Sequence, residues 1–74
     1  MKEERNIPLG KYRHFKGKEY ELLAIARDSE SPDRLIAVYR ALYGEGTVWA
    51  RPLDMFAEAV EVEGKSKPRF EYLG

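Results

Sequence analysis

Cysteine is absent from these 74 residues. That excludes a disulfide framework and any thiolate metal site. Histidine occurs once, as His14, so a metal site would lack the convergent ligands it needs. No apolar run approaches the ~20 residues of a membrane helix. Residues 1–6 are charged and lack the apolar middle of a signal peptide. The expectation is a soluble, cytoplasmic protein with no metal, no cofactor and no membrane partner. Net charge is lacking too, because thirteen basic residues balance thirteen acidic ones. A dedicated nucleic-acid binder usually carries a basic surplus. A local basic face stays open, since charges can segregate in space.

What is present is a moderate apolar content of 43%, with one Trp, five Tyr and three Phe. A chain this short buries only roughly 60–65% of its unfolded surface. The reading is residues 1–8 as a flexible lead-in and residues 9–74 as one domain. The chain is organised around residues 35–56, read as strand, glycine turn, strand and a proline-started helical turn.

Taken in order, residues 10–16 form a first strand, with Tyr12 and His14 on one face and Arg13 and Phe15 on the other. Gly17 turns the chain. Residues 19–27 form a second strand, whose apolar middle predicts burial on both sides near residues 22–26. Residues 28–33 read as a polar loop punctuated by Pro32. Strands over 35–43 and 47–51 follow, joined by Gly44-Glu45-Gly46. Pro52 then pre-sets a helical turn near residues 52–58. Residues 60–63 and 68–73 alternate as two last strands. Five to six short strands with glycine turns point to an all-β fold, a small antiparallel SH3-like barrel.

Four motifs in order carry a resemblance: residues 10–17 (GKYRHFKG), 38–44 (VYRALYG), 49–56 (WARPLDMF) and 68–70 (PRF). Together they resemble a family of short bacterial proteins catalogued as domain of unknown function 1653. The pattern departs at Phe15, where the family is associated with Tyr. The resemblance covers nearly all of residues 10–73. It implies a bacterial cytoplasmic origin and a small β-fold. It transfers no catalytic or binding residues.

The functional reading therefore rests on the residues. In the central hairpin, alternation puts Tyr39, Trp49 and Arg51 on one face and Val38, Leu42, Val48 and Ala50 on the other. The second set reads as core and the first as a surface. An aromatic pair beside an Arg can stack a ring, grip a peptide or hold a carboxylate or phosphate. Large aromatics in so small a domain also serve simply as core. Arg13 and His14 flank this set. Lys11, Lys16, Lys18, Arg40 and Arg69 complete a possible basic face, the ordinary footprint for RNA or single-stranded DNA. Such residues also guard exposed strand edges.

His14 is the one candidate acid or base, with Asp28 and Glu30 as candidate carboxylates that the sequence does not place relative to it, and no Ser sits in a nucleophile elbow. Gly44-Glu45-Gly46 lacks the Lys-Ser/Thr of a phosphate loop. The reading is a non-enzymatic binding module that presents Arg13, His14, Tyr39, Trp49 and Arg51 to a peptide, a protein or a small anionic ligand. The alternatives are a nucleic-acid accessory domain and, third, a small enzyme using His14. Both a monomer and a homodimer are compatible with the chain.

Overall fold

The computed structural model describes residues 7–74. Seven strands and one short helix follow in order: β1 (Gly10–His14), β2 (Glu19–Asp28), β3 (Ser31–Ala41), β4 (Val48–Pro52), α1 (Leu53–Phe56), β5 (Ala59–Val62), β6 (Lys65–Pro68) and β7 (Phe70–Tyr72). All strand pairs are antiparallel. Five strands form one sheet in the order β4-β3-β2-β1-β7, and β5 with β6 forms a separate hairpin.

The fold is thus all-β with one short helix, as the alternation predicts. The ladders do not close into a barrel. Strands β4 and β7 stay as the two edges of an open sheet. The expected last strand over 68–73 is split, because Pro68 ends β6 and the chain re-pairs with β1 as β7. Glu63 (φ 51°) and Gly64 (φ 79°) form the two-residue turn between Val62 and Lys65. Two successive positive φ angles are what a type I′ hairpin turn requires.

The expected loop over 28–33 contracts to a turn at Ser29-Glu30, and β3 already begins at Ser31. The Asp28 carboxylate accepts the Glu30 amide at 2.9 Å, which closes the turn locally. Strand β2 also differs from expectation. Its register shifts between Leu22 and Ala24, a bulge that breaks the two-residue alternation. Leu22 is buried before it and Ile25 packs on the core after it. The continuous apolar run therefore reflects a change of phase and not burial of both faces: Ala24 and Ala26 are exposed.

The core lies on the Tyr39 side of the central hairpin, the reverse of the expected assignment. Ala37, Tyr39 and Ala41 are buried, whereas Val48 is 51% and Leu42 is 42% exposed. Two alanines flanking Tyr39 leave room for larger groups brought from elsewhere. Leu53 and Phe56 fill it from α1 and Phe70 from β7. Phe56 and Phe70 stack at 4.1 Å with a 7° interplanar angle, and Tyr12 meets Phe56 edge-on at 5.2 Å. Helix α1 starts after Pro52 and ends with the Ala57 amide donating to the Leu53 carbonyl. Leu53 and Phe56 plug the core, while Met55 faces outward.

Of the lead-in expected over residues 1–8, residues 1–6 lie outside the described residues. The remainder is tied down: Ile7 packs against the core and the Tyr12 hydroxyl donates to the Pro8 carbonyl at 2.6 Å.

Candidate functional site

Cross-strand register builds the site. Tyr39 of β3 lies opposite Trp49 of β4, and Ala37 lies opposite Arg51. All four project from the same face. Because Ala37 is small, the Arg51 side chain has room to lean along β3. Its Nε–H donates to the Tyr39 hydroxyl at 3.0 Å. On the other side of β3, Leu22 pairs with Tyr39 and Tyr20 with Ala41. Tyr20 also faces Tyr12 across β1, and β1 brings His14 opposite Phe70.

These pairings enclose a cavity of about 190 Å³ lined by His14, Tyr20, Tyr39, Tyr43, Trp49, Arg51 and Phe70. Tyr20 is its hub. Its ring meets Tyr39, Tyr43 and Phe70 near-perpendicularly, each at 5.5 Å between centroids. Edge-to-face contacts of this kind hold rings rigidly. The Tyr20 and Tyr43 hydroxyls share a hydrogen bond of 2.6 Å. Lys18 Nζ lies 4.8 Å from the centre of the Tyr43 ring. Trp49, on an edge strand, is 51% exposed and forms an outer wall.

Electrostatics add to the picture. Burial lowers the His14 pKa, and Arg69, Lys16 and Arg51 lower it further. The imidazole is therefore neutral at pH 7. The Lys16 amide donates to His14 Nδ1 at 3.1 Å, which selects the tautomer carrying its proton on Nε2. Burial raises the Tyr20 pKa to about 12, helped by the hydrogen bond shared with Tyr43 and by the nearby Tyr43 and Tyr39. Among the described residues no Asp or Glu lines the cavity. Arg51 forms no ion pair among them either.

His14, Tyr39, Trp49 and Arg51, singled out from the sequence, thus meet at one cavity. Arg13 does not join them. It points to the opposite face, across from Glu19 and Glu71, and its guanidinium lies 3.8 Å from the Glu19 carboxylate. Lys11 and Arg40 share that outer face, each opposite Glu21. The possible basic face therefore divides. Lys11, Arg13 and Arg40 sit in a charge-alternating ladder, while Lys16, Lys18 and Arg69 lie near the cavity. Arg69 is partly compensated by its ion pair with Glu58.

Tyr20, Tyr43 and Phe70 escape the sequence reading. For Tyr20 a signal exists: a hairpin turn at Gly17 puts it on the face of Tyr12 and His14. For Tyr43 one exists too: alternation over residues 35–43 puts it on the face of Tyr39, although β3 ends at Ala41. Phe70 arrives through a pairing 56 positions apart from His14, of which local periodicity carries no trace. No group of three or more His, Cys, Asp or Glu able to hold a metal occurs among the described residues. None of their helices is long and apolar enough to cross a membrane.

Fold and cavity together define a small all-β domain with an aromatic cleft that holds an arginine without an ion pair among the described residues. The chain belongs to the family described as "Protein of unknown function (DUF1653)", whose model matches residues 10–72. It is similar to the crystal structure of a DUF1653 protein from Bordetella bronchiseptica. The identity is 34%, over 93% of this chain and 90% of that one, with a TM-score of 0.84. The comparison with curated proteins returns no match.

Proposed function

We propose that residues 9–74 act as one non-enzymatic binding module, an SH3-like arrangement whose sheet stays open, and that its ligand site is the cavity at Arg51. The single observation carrying this is a guanidinium set among aromatic walls, with no carboxylate partner among the described residues. Partly desolvated arginine is most stable when an anion meets its fork. The same cavity disfavours a cationic guest, because the arginine already occupies it and no acidic group lines it. The neutral His14 also lacks a carboxylate partner among the described residues, which leaves a catalytic role without its second group.

Trp49, the only tryptophan, reports on the cavity directly. Its emission should respond saturably to at least one small anion from a panel of carboxylates, phosphate and mononucleotides. Arg51→Gln should abolish that response while the far-ultraviolet circular dichroism stays unchanged. A Trp49 that ignores every anion would overturn the proposal.

A second reading, single-stranded nucleic acid, draws on Lys16, Lys18 and Arg69 near the cavity, with Lys18 against the Tyr43 ring. Affinity for an oligouridine would then fall with salt at a log–log slope of roughly −0.7 per phosphate contact. A salt-insensitive response excludes it.

A further inference from the structure

We infer that the ligand of this cavity is an aromatic carboxylate, its carboxylate held by Arg51 and Tyr39 and its ring seated among Trp49, Tyr43 and Tyr20. The inference rests on the anion-site reading above and narrows it to one chemical class.

The hydrogen-bonding inventory of the cavity is one-sided. Arg51 commits its Nε–H to Tyr39, so its two terminal amino groups remain for a ligand. Tyr39 accepts that bond through its oxygen, and its own hydroxyl proton has no acceptor among the described residues. His14 accepts at Nδ1, so its other nitrogen is a donor. Tyr20 and Tyr43 share one proton between them, which leaves one hydroxyl proton of that pair to give. Arg51, the Tyr39 hydroxyl, one hydroxyl of the Tyr20–Tyr43 pair and this histidine tautomer thus offer donors, and among the described residues no carboxylate lines the cavity to accept. A guest matching this lining presents acceptors and no donors. A carboxylate does so, and its planar oxygens fit the end of a guanidinium fork.

Size and shape supply the second half. A dry cavity of about 150 Å³ takes a benzene ring. The 190 Å³ here accommodates one ring with a small polar head. A bare carboxylate or phosphate would leave the tyrosine and tryptophan walls wet. A whole nucleotide, with ring, sugar and phosphate, exceeds the space. The walls favour a flat guest, because rings prefer offset or edge-on partners at 4.5–7 Å.

This chemistry has two sources: a free ring acid, or the C-terminal carboxylate of a peptide ending in an aromatic residue. The test titrates the full chain with benzoate, acetate, benzamide, inorganic phosphate and N-acetylphenylalanine, read by Trp49 emission and by amide NMR shifts. Benzoate or N-acetylphenylalanine should saturate and move the resonances of Tyr39, Tyr43 and Trp49. Acetate and benzamide should bind at least about tenfold more weakly, since each lacks the ring or the charge. Arg51→Gln should lose about tenfold or more, and Arg51→Lys should recover only part of it.

Stronger binding of N-acetylphenylalanine than of benzoate assigns the peptide terminus, and the reverse order assigns the free acid. Acetate or phosphate binding as tightly as benzoate overturns this inference but leaves the anion site standing. No response to any anion removes both. Should Arg51→Gln fail to fold, benzamide against benzoate on the unaltered protein still decides the role of the charge.

Discussion

Arg51 Nε and the Tyr39 hydroxyl lie 3.0 Å apart, bridging the central hairpin at the mouth of its aromatic cavity. The bond joins a 4%-exposed tyrosine to an arginine on the edge strand. It holds the guanidinium in place before any ligand arrives. Preorganisation of this kind lowers the ordering cost of binding.

Tyr39→Phe keeps the ring contacts to Tyr20, Phe56 and Phe70 and removes only the hydroxyl. Stability should fall by about 1.5 kcal/mol, the low end for a bond to a charged donor because this one is only partly buried. Urea denaturation followed by circular dichroism measures this through its midpoint. Anion affinity should fall as well, because Arg51 loses its tether. An unchanged affinity would mean that the tether plays no part in binding.

His14 makes stability sensitive to mild acid. Its folded pKa lies below the ordinary 6.5 because of burial first, then Arg69, Lys16 and Arg51. The unfolded chain therefore takes up the proton first as pH falls. The contribution is complete above about pH 6.5 and is lost as pH drops from there toward the folded pKa. The only histidine can be followed by its ring-proton NMR shift. Its midpoint should lie below that of the unfolded protein, and His14→Gln should flatten the decline in stability below about pH 6.5.

Tyr20 does the corresponding thing in alkali. Its pKa is raised to about 12 by burial, and the hydrogen bond with Tyr43 adds to that. The unfolded chain ionises first, near pH 10, so stability declines as pH rises from about 10 toward 12. Tyrosinate absorbance should show Tyr20 titrating late, alongside Tyr12, whose pKa burial and the nearby Tyr72 also raise. Tyr43→Phe should shift the Tyr20 titration downward, while burial keeps it above the ordinary value.

Phe56 and Met55 are neighbours on α1 with opposite surroundings. Phe56 is 1% exposed and stacked on Phe70, and Met55 is 48% exposed. Phe56→Ala should cost about 3–5 kcal/mol, most of what a domain of this size possesses. Thermal unfolding should show the midpoint lowered by roughly 12–40 °C. Met55→Ala should stay within about 0.5 kcal/mol. A large loss from Met55→Ala would point to a second copy or partner covering that residue.

Much of this was legible in the sequence. Alternation identified every strand but β6, Pro52 placed α1, and Gly17, Gly44 and Gly64 marked turns. The same alternation grouped Tyr39, Trp49 and Arg51 on one face. It could not tell which face of β3 is the core. Both sides of the hairpin carry residues that would bury well, and the choice depends on what arrives from α1 and β7. The bulge at Leu23 was equally hidden, since a change of phase and a doubly buried strand leave the same apolar run.

The sequence by itself determined the all-β class, the positions of the turns and the parity of each side chain along its strand. These follow from local sterics and the two-residue repeat. Only the tertiary structure decided that the sheet stays open and that the Tyr39 face is the core. Long-range pairing of β7 with β1 brought Phe70 and His14 to Tyr20, and the alanines at 37 and 41 made space for them. That packing, and no local propensity, is what turns a row of aromatic residues into a cavity around Arg51.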